Sequence, residues 1–453
     1  MERLTAEDRL MLWPDENWPQ DIGALAVLDG AGLLDPDGRF FLDAARQAVA
    51  ARLHLVPRFR QVLRVPPRGL GGPLWVDDPS FDVADHVRAT PVPAPGDEPA
   101  LLRVAEQLRR TRLDRSRPLW EMWFMTGLPE RRIGMFARMH HAIADGIAGV
   151  ATLGAFLDAT PETTAVPPRP WAPAPALPAR ALFADNLRRH AASAGDACSR
   201  LVRAAAKEPH GRDARPSVRG LLSAPPTPRT SLDRVVGPDR SLALIRGNLD
   251  LARQAAHRHG AKANDVLLAV TAAGLRGLFT GRGEPVEDLC LPVYVPVTLR
   301  QPQGREQARG NLIGQMVVPL PLDVPDPGLL LEQIAAASAT EKASSHPDLG
   351  TMLQNRFARS ALLKFLERHP VSVTTADVPG TARPAYFAGS RVLEVFPVLP
   401  LIARVTVGVG ALSYAGQFNI TVVADRDAVP DLDVFVAAAR DQLQAICEPD
   451  SAL

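Results

Sequence analysis

The spacing of apolar positions divides the chain into helices and strands from end to end. In residues 100–111, Leu101, Leu102, Val104, Ala105 and Leu108 fall on one side of a 3.6-residue period, which predicts an amphipathic helix. Residues 42–53 and 147–157 carry the same spacing. Residues 21–29 (DIGALAVLD), 119–124 and 133–140 are short apolar runs that read as strands, the last two joined by a turn at 127–132. Beyond residue 232, strands are expected at 242–249, 291–297, 315–320, 371–375, 392–396, 405–413 and 419–423. Helices are expected at 251–259, 264–278, 329–338, 353–367 and 432–447. The pattern is mixed α+β on both sides of a central break.

Proline marks that break. The chain has 43 prolines in 453 residues, against a usual content of roughly 5%. They crowd into 161–180 (PETTAVPPRPWAPAPALPAR), an extended connector. A helical stretch follows at 181–207, then a Pro/Arg/Ser-rich loop at 209–230. The expected organisation is a first lobe at 1–160, a crossover linker at 161–232 and a second lobe at 233–453.

Charge and cysteine content exclude several classes of function. Lys and Arg total 51 against 50 Asp and Glu, so no global field points to nucleic acid. Cys198, Cys290 and Cys447 stand far apart in no metal-binding pattern and fit a reducing cytoplasm. No run of about 18 uncharged apolar residues exists to span a bilayer, so any membrane contact is expected from the side.

One stretch carries chemistry: Met139-His140-His141-Ala142-Ile143-Ala144-Asp145-Gly146, at the end of one expected strand and before an expected helix. Adjacent strand residues face opposite ways, so only one of the two histidines can face a given cavity. An imidazole suits general-base work near neutral pH. It could take a proton from an alcohol attacking an acyl thioester, a donor that needs no enzyme nucleophile. No GxSxG elbow, P-loop or complete GxGxxG accompanies it. No third metal ligand is linked to the pair, so no metal is expected. Asp145 could cap the following helix or anchor the loop through a cation elsewhere, and Gly146 would let the chain turn tightly.

HHAIADG resembles the HHxxxDG motif of the CoA-dependent acyltransferases. More closely, the chain is similar to the bacterial wax ester synthase/diacylglycerol acyltransferase family. The resemblance covers nearly the whole chain: 52–60 (RLHLVPRFR), 73–87 (PLWVDDPSFDVADHV), Pro118-Leu119-Trp120, Asn264-Asp265, 296–300 (PVTLR) with 310–312, Asp377-Val378-Pro379-Gly380, 412–416 and 423–433. It implies two chloramphenicol-acetyltransferase-like lobes, each a mixed sheet flanked by helices, with a tunnel between them. His141 would be the general base and His140 its support. Asp145 would be structural, paired with Arg300. Asn264 and Asp265 would orient substrate, although Asn264 also reads as a helix N-cap. Trp120 reads as core packing, and Gly380 as serving the turn after Pro379. Asp377 departs from the family, which has Asn there, and a carboxylate cannot donate the amide's hydrogen bonds.

The implied substrates are long-chain acyl-CoA with diacylglycerol or a fatty alcohol, and no cofactor. Between residues 181 and 220 there are seven Arg and one Lys against three Asp and one Glu, an excess of 8 − 4 = +4. With Leu182, Phe183, Leu187, Leu201 and Val202, this segment could lie on an anionic lipid surface, at the inner membrane face or a lipid body. It reads equally as a solvated linker. Two other readings stay open: an acyltransferase with another alcohol acceptor, and a catalytically silent lipid-binding homologue.

Overall fold

The strand that ends in the histidine pair, Ile133–His140, is buried at all eight positions. It must therefore lie inside a sheet covered on both faces. The computed structural model describes residues 2–12, 14–162, 170–206, 229–298, 313–344 and 371–448. The expected helix at 353–367 and Arg300 lie outside the described residues.

In chain order the elements are β1 (Glu2–Arg3), α1 (Ala6–Leu12), β2 (Asp21–Leu28), α2 (Leu42–Arg52), β3 (Gln61–Arg64), β4 (Leu74–Asp77), β5 (Val87–Pro91), α3 (Glu98–Arg110), β6 (Trp120–Thr126), β7 (Ile133–His140), α4 (Gly146–Gly154) and α5 (Ala179–Ala206). They continue as β8 (Arg240–Asn248), α6 (Leu249–Arg258), α7 (Ala263–Gly281), β9 (Cys290–Thr298), β10 (Ile313–Pro321), α8 (Pro327–Ser344), β11 (Val373–Pro379), β12 (Tyr386–Phe387), β13 (Ser390–Val398), β14 (Val407–Tyr414), β15 (Gln417–Asp425) and α9 (Leu432–Cys447).

Among the described residues, two six-stranded sheets dominate, with strand orders β12-β13-β2-β7-β6-β5 and β10-β9-β11-β14-β15-β8. The first places β7 between β2 and β6, antiparallel to both, with Asp21 opposite His140 and Trp120 opposite Met139. The second is mixed, because β11 runs parallel to β9 and β14. Helix α7 is buried without a break from Asp265 to Leu275. A helix apolar on all sides has to be central, and α7 packs with α6 and α9 in the core of the second sheet.

The expected division of the chain at 160 and 233 does not divide the sheets. Strand β13, expected with the second lobe, pairs antiparallel with β2 in the first, from Val392 opposite Leu28 to Val398 opposite Gly23. Unpaired, β2 would present an open edge of N–H and C=O groups, and β13 covers it. A third apolar cluster then joins the sheets, bringing Leu25, Val27, Leu101 and Phe136 onto Leu244, Phe396, Val398 and Val423.

Candidate active site

The backbone N–H groups of the two histidines point to opposite neighbours. The His140 N–H donates to the Leu119 carbonyl beside β6 (2.9 Å), and the His141 N–H to the Gln20 carbonyl beside β2 (2.7 Å). His140 is 2% exposed. Its Nδ1 accepts the Ala142 N–H at 3.0 Å. A backbone N–H can bond only to a ring lone pair, so the hydrogen-bond network assigns the proton of His140 to Nε2. That Nε2 points at Asp15 Oδ1 across 3.4 Å, too far and off-line for a full hydrogen bond. His141 is only partly buried. The His140 imidazole is thus buried and fixed in its tautomer, and His141 is the more exposed of the two.

Asp145 is 2% exposed and caps α4, its Oδ1 accepting the Ala148 N–H at 2.8 Å. Of the two roles the sequence left open for Asp145, the cap is present among the described residues. Gly146 opens α4 where a Cβ would stand 3.3 Å from Val378 Cγ2 of β11. The motif helix is packed against the second sheet at this point, and a Cβ there would crowd the Val378 methyl group. Arg300, expected to pair with Asp145, lies outside the described residues.

Pro118-Leu119-Trp120 supports the pair rather than facing it. Leu119 supplies the carbonyl for His140 and is fully buried. Trp120 is stacked between Phe59 (4.4 Å) and His86 (4.6 Å), and its Nε1–H donates to the Phe59 carbonyl at 2.8 Å. Trp120 is core packing, as its sequence context suggested. Burial pushes the His86 imidazole below its ordinary value, against the pull of the Trp120 carbonyl.

At the second lobe, the N-cap of α7 is Lys262, not Asn264. Asn264 sits one turn-position inside the helix, partly buried, and its amide makes no hydrogen bond among the described residues. Asp265, expected beside it as a substrate-orienting group, is 5% exposed and closes the first turn by accepting the Lys262 N–H at 2.9 Å. Its carboxylate is engaged in the helix start. Asp377 lies on β11 opposite Ala411. Burial raises its carboxyl to about 6, with Arg253 pulling the other way. Pro379 ends the strand in an exposed position. Gly380 does more than serve the turn: a Cβ there would lie 2.2 Å from the Ser413 carbonyl oxygen of β14. Only glycine fits this approach.

The sequence reading missed the groups on the far side of His140. Arg138, one pleat earlier, is buried between Asp21 (3.1 Å) and Glu121 (2.9 Å). Burial raises the Asp21 carboxyl while Arg138 opposes it. A cavity of about 140 Å³ is lined by Asp15, Asp21, Arg112, Arg115, Leu119 and His140. Burial works against ionisation of Asp15, but His140, Arg115 and the Gln20 N–H outweigh it and hold the carboxyl well below the usual carboxylate range. Among the described residues no three His, Cys, Asp or Glu side chains gather as a metal-binding set.

This two-sheet fold is shared with solved structures. A wax ester synthase/diacylglycerol acyltransferase from Marinobacter aquaeolei VT8 superimposes with a TM-score of 0.68 at 23% identity, covering 98% of both chains. The first condensation domain of the calcium-dependent antibiotic synthetase gives 0.62 at 16% identity, covering 100% of this chain and 97% of that one. At such identities the likeness establishes the fold. The sequence is more specific. Residues 4–267 match the wax ester synthase/diacylglycerol acyltransferase catalytic domain, and residues 309–447 match the C-terminal domain of the same family. A Mycobacterium tuberculosis protein (strain CDC 1551 / Oshkosh), named as a probable diacylglycerol O-acyltransferase, tgs1, is 31% identical over 422 residues, covering 90% of this chain and 87% of that one. The chain belongs to the wax ester synthase/diacylglycerol acyltransferase family.

Proposed function

We propose that this protein is an acyl-CoA-dependent O-acyltransferase, moving a long-chain acyl group to diacylglycerol, to a long-chain alcohol, or to both. One observation supports the reading: of two adjacent histidines at the end of a buried strand, His140 is 2% exposed and His141 is only partly buried with its backbone held.

In this mechanism neutral His141 takes the proton of the acceptor hydroxyl as its oxygen attacks the thioester carbonyl. A C–O bond forms and the C–S bond then breaks. The CoA thiolate leaves with the proton that His141 returns, and no acyl-enzyme forms. His140 supports the loop, and Asp145 and Gly146 fix the start of α4 against β11. The Asn264 amide, unengaged among the described residues, is the group offered for orienting the acyl carbonyl; removing one oxyanion donor of that kind costs about 10²–10³ in rate. The two substrates meet at His141 from opposite ends of a passage between the lobes.

Both acceptors are poorly soluble, so the reading extends to a lipid surface contacted by α5. No described helix is long and apolar enough to cross a membrane. The first turns of α5 dock on the first lobe, where Arg3 bonds Asp185 at 2.6 Å, and leave Phe183 and Leu187 exposed beside Arg188 and Arg189.

The test is radiolabelled long-chain acyl-CoA offered with diacylglycerol, fatty alcohols and other alcohols. Ester product from the long-chain acceptors is expected, with at least ~10³-fold loss in His141→Ala. Full activity in that variant overturns the general-base role. Product only from a different alcohol class reassigns the acceptor, and none from any acceptor favours a lipid-binding homologue.

A further inference from the structure

Upstream of β2 the chain makes a polar turn, Pro14–Gln20, that the mechanism above does not use. Asp15 and Gln20 are 8% and 3% exposed. Asp15 Oδ1 accepts the Gln20 N–H at 2.9 Å, and its Oδ2 accepts from Arg115 at 2.5 Å. Its backbone carbonyl accepts from Arg112 at 2.8 Å. The same carboxylate faces the sealed Nε2–H of His140 across 3.4 Å. Gln20, fixed by that carboxylate, holds the His141 N–H at 2.7 Å, and its side-chain amide donates to the Trp18 carbonyl at 2.8 Å. Trp18 in turn donates its indole N–H to the Val236 carbonyl, beyond the linker, at 3.3 Å.

One side chain therefore touches the surroundings of both histidines. Asp15 faces the Nε2–H of His140, whose Nδ1 accepts the Ala142 N–H in the tight turn after the strand. Through Gln20 it also fixes the backbone nitrogen of His141. We propose that Asp15 is a positioning residue of the reaction, acting through Gln20 and His140 to set where the His141 imidazole stands; this rests on the general-base reading of His141. Asp15 touches no reacting atom, so its removal should lower the turnover of bound substrate and leave substrate binding alone. Misplacing a catalytic group by ~1 Å can cost about 10²-fold.

The experiment compares Asp15→Ala, Asp15→Asn and His141→Ala in the acyl-CoA assay, with rates normalised to folded protein. In Asp15→Ala we expect a kcat lower by roughly 30–100-fold with both KM values within two-fold of the parent. Asp15→Asn keeps an oxygen for the Gln20 N–H but loses the charge that holds His140 and Arg115. It should lose ~5–10-fold in kcat, again at unchanged KM. It also serves as the deciding variant if Asp15→Ala does not fold. Parental kcat in Asp15→Asn, or a rise in KM at parental kcat in either variant, overturns the proposal while an inactive His141→Ala leaves the general base standing. Activity retained in His141→Ala overturns both.

Discussion

At the scale of single residues, the two adjacent imidazoles differ in which of them is shut away. His140 and His141 are neighbours of identical type, and local sequence says only that they face opposite directions. The assignment comes from Asp15, Gln20, Leu119 and Ala142, which hold the pair from three sides. Asp377 shows the same dependence on surroundings. Burial raises its carboxyl to about 6 in the folded chain, above its ordinary value of 3.8. Its proton is therefore bound more tightly folded than unfolded, and ionisation costs stability. That stability is fully present below about pH 4 and is lost as pH rises through 6. Asp377→Asn should therefore stabilise the fold by about 1–3 kcal/mol at pH 8 and by almost nothing at pH 4. Urea unfolding at the two pH values measures this, and equal effects at both would remove the buried-carboxyl explanation. The HHAIADG string was legible because its residues are contiguous. Asp15 was not, because nothing in PDENWPQD signals a partner in a distant strand.

At the scale of elements, periodicity found what is long and one-sided. Helix α3 follows the expected apolar stripe, with Asp97 capping it through the Ala100 N–H. The short strands β1, β3, β4 and β5 run two to five residues each, too short for an alternation to show. Gly380 could be read from sequence only as a turn residue, because its contact with Ser413 exists only once β11 and β14 are side by side. Helix α5 presents Phe183 and Leu187 to solvent, 55% and 60% exposed, next to Arg188 and Arg189. If this face lies on lipid, Phe183→Ser with Leu187→Ser should reduce pelleting with phosphatidylglycerol-containing vesicles by ~10-fold or more, and replacing the eight basic residues of 181–220 with Gln should do the same. Unchanged pelleting in both would leave α5 as a solvated linker helix.

At the scale of the whole molecule, the two halves of the chain complete one another. Strand β13 is covalently part of the second half and structurally part of the first sheet, and the seam through Leu25, Phe136, Leu244 and Phe396 belongs to both. A fragment of residues 1–232 would bare the edge of β2 and that apolar seam together. It should fail to show cooperative urea unfolding and should aggregate on expression; a soluble fragment with a sharp transition would show that the first lobe folds alone. What the sequence determined by itself is what depends on near neighbours: the α+β alternation, most long helices and central strands, the proline-marked break and the contiguous HHAIADG motif. Which sheet β13 joins, which histidine is sealed, and which acid stands behind it were decided only by the tertiary structure. Those outcomes rest on contacts between groups far apart along the chain, and their energies exist only when folding has brought the surfaces together and excluded water from between them.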